Sequence, residues 1–130
     1  MDRLKYQIPN DAKYFSTVRL MLSGILNLLN RNIEEIEDLK MAVTECLNIA
    51  HNLSEEDHID LVFEIEDEKN IKICVSEIEE EKLKSCEKLS LAKTIIDSLV
   101  DECYFNENTF ILSKKIVRIC YEFKGIQQFR

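Results

Sequence analysis

The sequence predicts an α+β fold, a two-layer sandwich in which a mixed, mostly antiparallel sheet is covered on one face by three helices. Three observations carry this. The spacing of apolar residues switches along the chain between a helical period and a strand period, in the order β-α-α-β-β-α-β-β. Strands come in runs with helices grouped between them, the pattern of α+β rather than alternating α/β folds. The chain is 45% apolar and 32% charged, which fits a folded water-soluble protein and not a disordered one. Its 130 residues make a single domain, 1–130, able to hide roughly two thirds of its unfolded surface.

Residues 4–8, LKYQI, alternate weakly and predict an edge strand; Pro9 and Asn10 then stop it and cap a helix. From Asp11 to about Asn30, Phe15, Val18, Leu22, Ile25, Leu26 and Leu29 recur at three and four, an amphipathic helix. Gly24 lies inside that helix at a cost of about 1 kcal/mol relative to Ala, which a close helix contact would explain. After a break at 30–32, a second helix spans about 33–53 with the stripe Ile36, Leu39, Val43, Cys46, Leu47 and Ala50. Its first turns carry Glu34, Glu35, Glu37 and Asp38 at the positive end of the helix dipole. Ile59, Leu61, Phe63 and Ile65, then Ile71, Ile73 and Val75, predict two strands joined by a hairpin at 67–70. Residues 77–84 are a charged stretch. A third helix is expected from about Cys86 to Glu102, with Leu89, Ala92, Ile95, Ile96 and Leu99 inward. A terminal strand pair, 103–106 and 109–123, turns at Glu107-Asn108, and 124–130 is expected to fray.

Two glycines and one proline in the whole chain leave no material for a phosphate loop, a dinucleotide fingerprint or a collagen repeat. The net charge of −8 argues against direct binding to nucleic acid or an anionic membrane, both of which need clustered Lys and Arg. It suits a basic protein partner or simple solubility. Five cysteines, at 46, 74, 86, 103 and 120, form no CxxC pair, and neither His51 nor His58 stands at metal-ligand spacing from them. They are read as small apolar residues in a reducing cytosol, with Cys86 the most exposed. No apolar run follows Met1 and none reaches membrane-spanning length, so a cytoplasmic protein is expected.

The element order and three stretches resemble the bacterial anti-sigma-factor serine/threonine kinases, the small branch of the histidine-kinase-like (GHKL) ATPases. The stretches are 18–24 in the first helix, the run NIEEIEDLKMAVTE ending at Glu45 in the second, and 89–115 with Leu99-Val100-Asp101-Glu102 ahead of the terminal hairpin. The likeness covers nearly the whole chain. It implies the GHKL fold and a site in which a helix glutamate is the general base, an asparagine four residues on holds Mg²⁺, and an aspartate at a strand end binds adenine. Two glycine-rich boxes there bring backbone N–H groups to phosphate.

Carried onto this sequence, the resemblance places the catalytic glutamate on Glu45. The metal-binding asparagine falls on Ile49, which offers no oxygen; Asn48 is adjacent but turned about 100° around the helix, and a register slip that restored it would break the apolar stripe. The adenine aspartate falls on Glu77, the following glycine on Glu79, and the second glycine box on Ser90-Leu91-Ala92. Only 78–88 is available as a lid. Arg19 falls in the region that faces partner proteins in the family.

The expected function is therefore an anti-sigma-factor-like regulatory protein that binds a sigma factor or its antagonist without ATP, so with no cofactor and no metal. The alternative is an active serine kinase of an anti-sigma-factor antagonist, using ATP and Mg²⁺ with Glu45 as base. A homodimer is expected by analogy with the family.

Overall fold

The computed structural model describes residues 1–67 and 69–115. The chain opens with strand β1 (Asp2–Pro9), which pairs antiparallel with β2 (His58–Glu66) as the edge of a five-stranded sheet. Leu4, Tyr6 and Ile8 point toward the helices. Arg3 and Gln7 point the other way and bond the residues directly opposite: the Arg3 guanidinium meets Glu64 at 2.6 Å, and the Gln7 amide donates to Asp60 at 2.7 Å. Pro9 is tolerated as the last residue of an edge strand, where no ladder donor is missed.

The first helix does not begin at Asp11 in α form. The Asp11 side chain accepts from the Lys13 backbone N–H at 3.0 Å and caps a 3-10 turn, Ala12–Tyr14, that leads into α1 (Phe15–Leu28). At the other end Asn30 takes the left-handed conformation (φ 57°), the Arg31 N–H reaches back to the Leu26 carbonyl at 3.1 Å, and the Asn30 N–H to that of Asn27 at 3.1 Å. This is a Schellman stop with asparagine in the place of glycine. Helix α2 (Ile33–Leu53) then starts in a full capping box, the Asn32 side chain accepting from the Glu35 N–H at 2.7 Å while Glu35 reaches back to the Asn32 N–H.

Strands β2 and β3 (Asn70–Ser76) form the expected hairpin, with Asp67 supplying the positive φ that no glycine is there to supply. The charged stretch is not a bare loop. It folds as a short helix, α3 (Glu80–Lys84), whose Leu83, with Ile78 just before it, is buried against the core. Two apolar residues in a charged run establish no period, which is why a fourth helix was not expected. Helix α4 (Leu89–Asp97) is shorter than the expected 86–102. Lys88 offers no side-chain cap at its start, and the Ser98 hydroxyl bonds the Ile95 carbonyl at its end, a competing local bond that favours termination.

Strands β4 (Glu102–Asn106) and β5 (Thr109–Lys115) turn through Glu107 and Asn108, both at positive φ as a two-residue hairpin with the correct twist requires. The expected continuation of this strand to Phe123, and Cys120, Gly125 and the tail, lie outside the described residues. The sheet order is β1-β2-β3-β5-β4. All four neighbouring pairs are antiparallel, so the sheet is not mixed as expected. The β4–β5 hairpin enters with its second strand inward, and β5 therefore runs against β3.

The core lies between the sheet and the helices. Val18, Leu22 and Leu26 of α1 and Leu39, Val43 and Leu47 of α2 meet Ile59, Leu61, Phe63, Ile71, Ile73 and Val75. Burying such side chains contributes about 1.5–3 kcal/mol each before conformational entropy is set against it. Gly24 is on the solvent side of α1, and a Cβ built there would meet nothing within 4 Å. The close helix contact expected there is absent.

Candidate functional site: a cavity between α2 and α4

Helix α2 is continuous through the region of interest, so its side chains are placed by helical geometry alone. Its apolar stripe faces the sheet and α1. The flank toward α4 carries Glu45, Asn48, Ile49, Asn52 and Leu53, which form one wall of a cavity of about 380 Å³. The opposite wall is Cys86 and Lys88 from the link before α4, and Leu91, Ala92 and Ile95 from α4 itself. Glu45 and Asn48, three apart, are neighbours on the helix surface. Asn48 thus reaches the cavity with the apolar stripe intact and without the register slip that the sequence reading required. Ile49 also borders the cavity but is 6% exposed and belongs to the core.

The other expected site residues divide. Ala92 lines the cavity, whereas Glu77 and Ser90 do not. Glu77, directly after β3, is exposed, and its neighbour Ile78 is tied by its N–H to the Asn108 carbonyl at 2.9 Å. Glu79 stands before α3 and pairs with Lys82 at 3.6 Å. Lys82 is drawn instead mainly to Glu55 at 2.6 Å, which lowers the Glu55 carboxyl's pKa and raises that of the lysine. Arg19 is on the far side of α2, where its Nη1 donates to the Thr44 hydroxyl at 3.3 Å, and the hydroxyl in turn donates to the Lys40 carbonyl at 2.7 Å. With Glu37, Lys40, Met41 and Glu45 they line an open groove between α1 and α2. Glu45 therefore borders both features.

The histidines are structural. His51 donates from Nδ1 to the Asn10 side-chain oxygen at 2.8 Å and sits edge-on to Phe15, fastening the end of α2 to the start of the first helical segment. His58 is held by Asp57 at 2.9 Å, and that bond, together with nearby Asp60 and Glu56, raises its pKa. Of the four described cysteines only Cys46 is fully buried, and burial pushes its thiol pKa well up. Cys74, Cys86 and Cys103 are half-buried, so the expectation of buried thiols holds for one of the four described, and Cys86 is not set apart from the other two.

Asn52, Leu53 and Lys88 were not singled out from the sequence, and Ile95 was expected only as an inward residue of the third helix. Asn52 had a legible signal, since it follows Asn48 by four and shares its flank. Lys88 had none, because only the turn between α3 and α4 brings it opposite α2.

The cavity's chemistry can be tested against a nucleotide. Five of its ten lining residues are apolar: Ile49, Leu53, Leu91, Ala92 and Ile95. It holds one cation, Lys88, and one carboxylate, Glu45, and no glycine borders it. Among the described residues neither Glu45 nor Lys88 has an ion-pair partner, and no three His, Cys, Asp or Glu side chains converge to hold a metal. A magnesium-bound triphosphate needs several N–H groups or cations, and one lysine with no glycine beside it does not supply them. These residues do not fit ATP–Mg²⁺.

Comparison with known proteins bears on the origin of this arrangement. Over 81 residues the chain is 33% identical to serine-protein kinase RsbW of Staphylococcus aureus, in strains bovine RF122 / ET3-1, MRSA252 and JH9 among others; the match takes in 58% of this chain and 50% of those proteins. Over that stretch the chain is similar to serine-protein kinase RsbW. It spans half the length of those RsbW relatives. The crystal structure of the RsbU and RsbW domains of Rv1364c from Mycobacterium tuberculosis superposes with a TM-score of 0.66 at 14% identity, covering 89% of this chain and 32% of that one. The RsbW-type fold, an open antiparallel sheet with helices on one face, is thereby shown for this chain. No protein-family profile matches it. No helix of the described residues is long and apolar enough to cross a membrane.

Proposed function

We propose that this chain is an anti-sigma-factor-like regulatory protein of the cytoplasm that binds a sigma factor or its antagonist and has lost nucleotide binding. One observation supports the second half of this reading: five of the ten residues lining the cavity between α2 and α4 are aliphatic, and Lys88 is its single cation, where the resemblance requires phosphate ligands. The groove at Arg19, Lys40 and Met41 is the proposed partner surface, mixing apolar and charged groups as protein interfaces do. A homodimer is part of the proposal by analogy, and sedimentation of the purified chain checks it.

The second reading is a working serine kinase. It is favoured by Glu45 and Asn48 bordering the same cavity one turn apart, a carboxylate base beside an amide oxygen. Calorimetric titration with ATP–Mg²⁺ separates the two. Ligand at a hundred times its dissociation constant stabilises a fold by about 2.7 kcal/mol, so a kinase shows a clear rise in melting temperature. The expected result is no heat of binding and no shift. In the same preparation Arg19→Glu is expected to weaken capture of a sigma factor or antagonist at least tenfold, while Lys88→Glu, outside that groove, leaves it within twofold. Micromolar ATP binding would overturn the proposal.

A further inference from the structure

The cavity between α2 and α4 does not fit a nucleotide, but its volume lies within the roughly 300–1,000 Å³ range of small-molecule sites. We propose that it binds a small amphipathic monoanion: a flat or chain-like apolar body seated between Ile49, Leu53 and Ile95, with its one acid group at Lys88. This rests on the reading that nucleotide binding has been lost.

Three observations point to that ligand class. The aliphatic wall is two-sided: Ile49 and Leu53 come from α2, and Leu91, Ala92 and Ile95 from α4, so an apolar body loses water on both faces. Lys88 has no ion-pair partner among the described residues and stands at one end of that wall, available to a single anionic group. Glu45 stands on the same lining, also without an ion-pair partner among the described residues, so the lining offers one cation and no surplus of positive charge. Asn48 and Asn52 add amide donors and acceptors that orient a polar edge. One lysine neutralises one acid group, so a monoanion is matched, a polyanion is left with uncompensated charge, and a neutral apolar molecule is only partly satisfied. Cys86 borders the same space, so its thiol reports on occupancy.

The test uses the full chain and two fluorescent probes that share an apolar body. One is 8-anilinonaphthalene-1-sulfonate, which carries one anion; the other is N-phenyl-1-naphthylamine, which carries none. The sulfonate probe is expected to bind saturably at one site per chain and to slow maleimide labelling of Cys86 at least fivefold, read by peptide mass mapping. Lys88→Glu is expected to raise its dissociation constant tenfold or more while leaving the neutral probe within twofold. Leu91→Asp is expected to weaken both probes tenfold. Both positions are exposed, so the variants keep the fold, and their melting curves verify it. Non-saturable fluorescence, unprotected Cys86, or variants that bind both probes like the parent overturn the proposal. An effect of Leu91→Asp without one of Lys88→Glu overturns the anionic assignment. Displacement of the probe by ATP–Mg²⁺ sinks the loss-of-nucleotide reading instead, and is told apart by the calorimetric titration above.

Discussion

Gly24 is one of two glycines in the sequence, and its surroundings decide what it is worth. It sits mid-helix, exposed, with nothing near the position a Cβ would take. No packing gain offsets its helix cost, so Gly24→Ala is expected to stabilise the chain by about 1 kcal/mol in urea unfolding. A loss of stability would show that the backbone there is approached closely after all. The thiols give a second residue-scale expectation. Burial raises Cys103 to about 11, outweighing the lowering effect of Lys93. At pH 8 roughly one thiol in a thousand is then the reactive thiolate, so its alkylation rate should climb about tenfold per unit from pH 8 toward 10. Cys46, fully buried and with its thiol pKa also raised by burial, should stay unlabelled until the fold opens. The measurement is iodoacetamide labelling followed by peptide mapping; a plateau for Cys103 near pH 9 would contradict its raised position.

At the scale of elements, two asparagines replace what glycine and serine usually do. Asn30 closes α1 at positive φ and Asn32 opens α2 with a capping box, so one four-residue link, 29–32, turns the chain between two helices. Asn30→Val is expected to cost more than 1 kcal/mol, since a β-branched residue resists the left-handed region, and Asn30→Gly to cost nothing. Asn32→Ala should lose about 1 kcal/mol through the uncapped N–H groups. Thermal melts of the three variants check the order. The break at 30–32 was legible in the sequence because both helices beside it have strong periods. Helix α3 was not legible: Leu83 and Ile78 are buried by tertiary packing and stand in no repeating pattern. The early end of α4 was also hidden, because Leu99 and Val100 continue its apolar spacing past the last helical bond.

For the molecule as a whole, periodicity located every strand of the described residues and the three longer helices, because a core on one sheet face forces alternation in each strand and a stripe on each helix. The candidate site was less legible for the same reason. Lys88, Leu91 and Ile95 meet Asn48 and Asn52 only through the packing of α4 on α2, a contact set by tertiary structure and invisible to local pattern. Strand direction was misjudged because topology, not propensity, makes β5 run against β3. Charge, by contrast, was fully readable and yields the last expectation. A net −8 spread over one small domain steers a basic partner in encounter but is screened by salt over about 8 Å at physiological strength. If the proposed partner is basic, raising salt from about 50 to 500 mM should slow association at least tenfold while dissociation changes far less, because steering acts on the approach and short-range contacts hold the complex. Stopped-flow mixing with a purified sigma factor reads both rates. An association rate indifferent to salt would mean that the acidic surface serves solubility and that recognition rests on the apolar and Arg19 contacts of the α1–α2 groove alone.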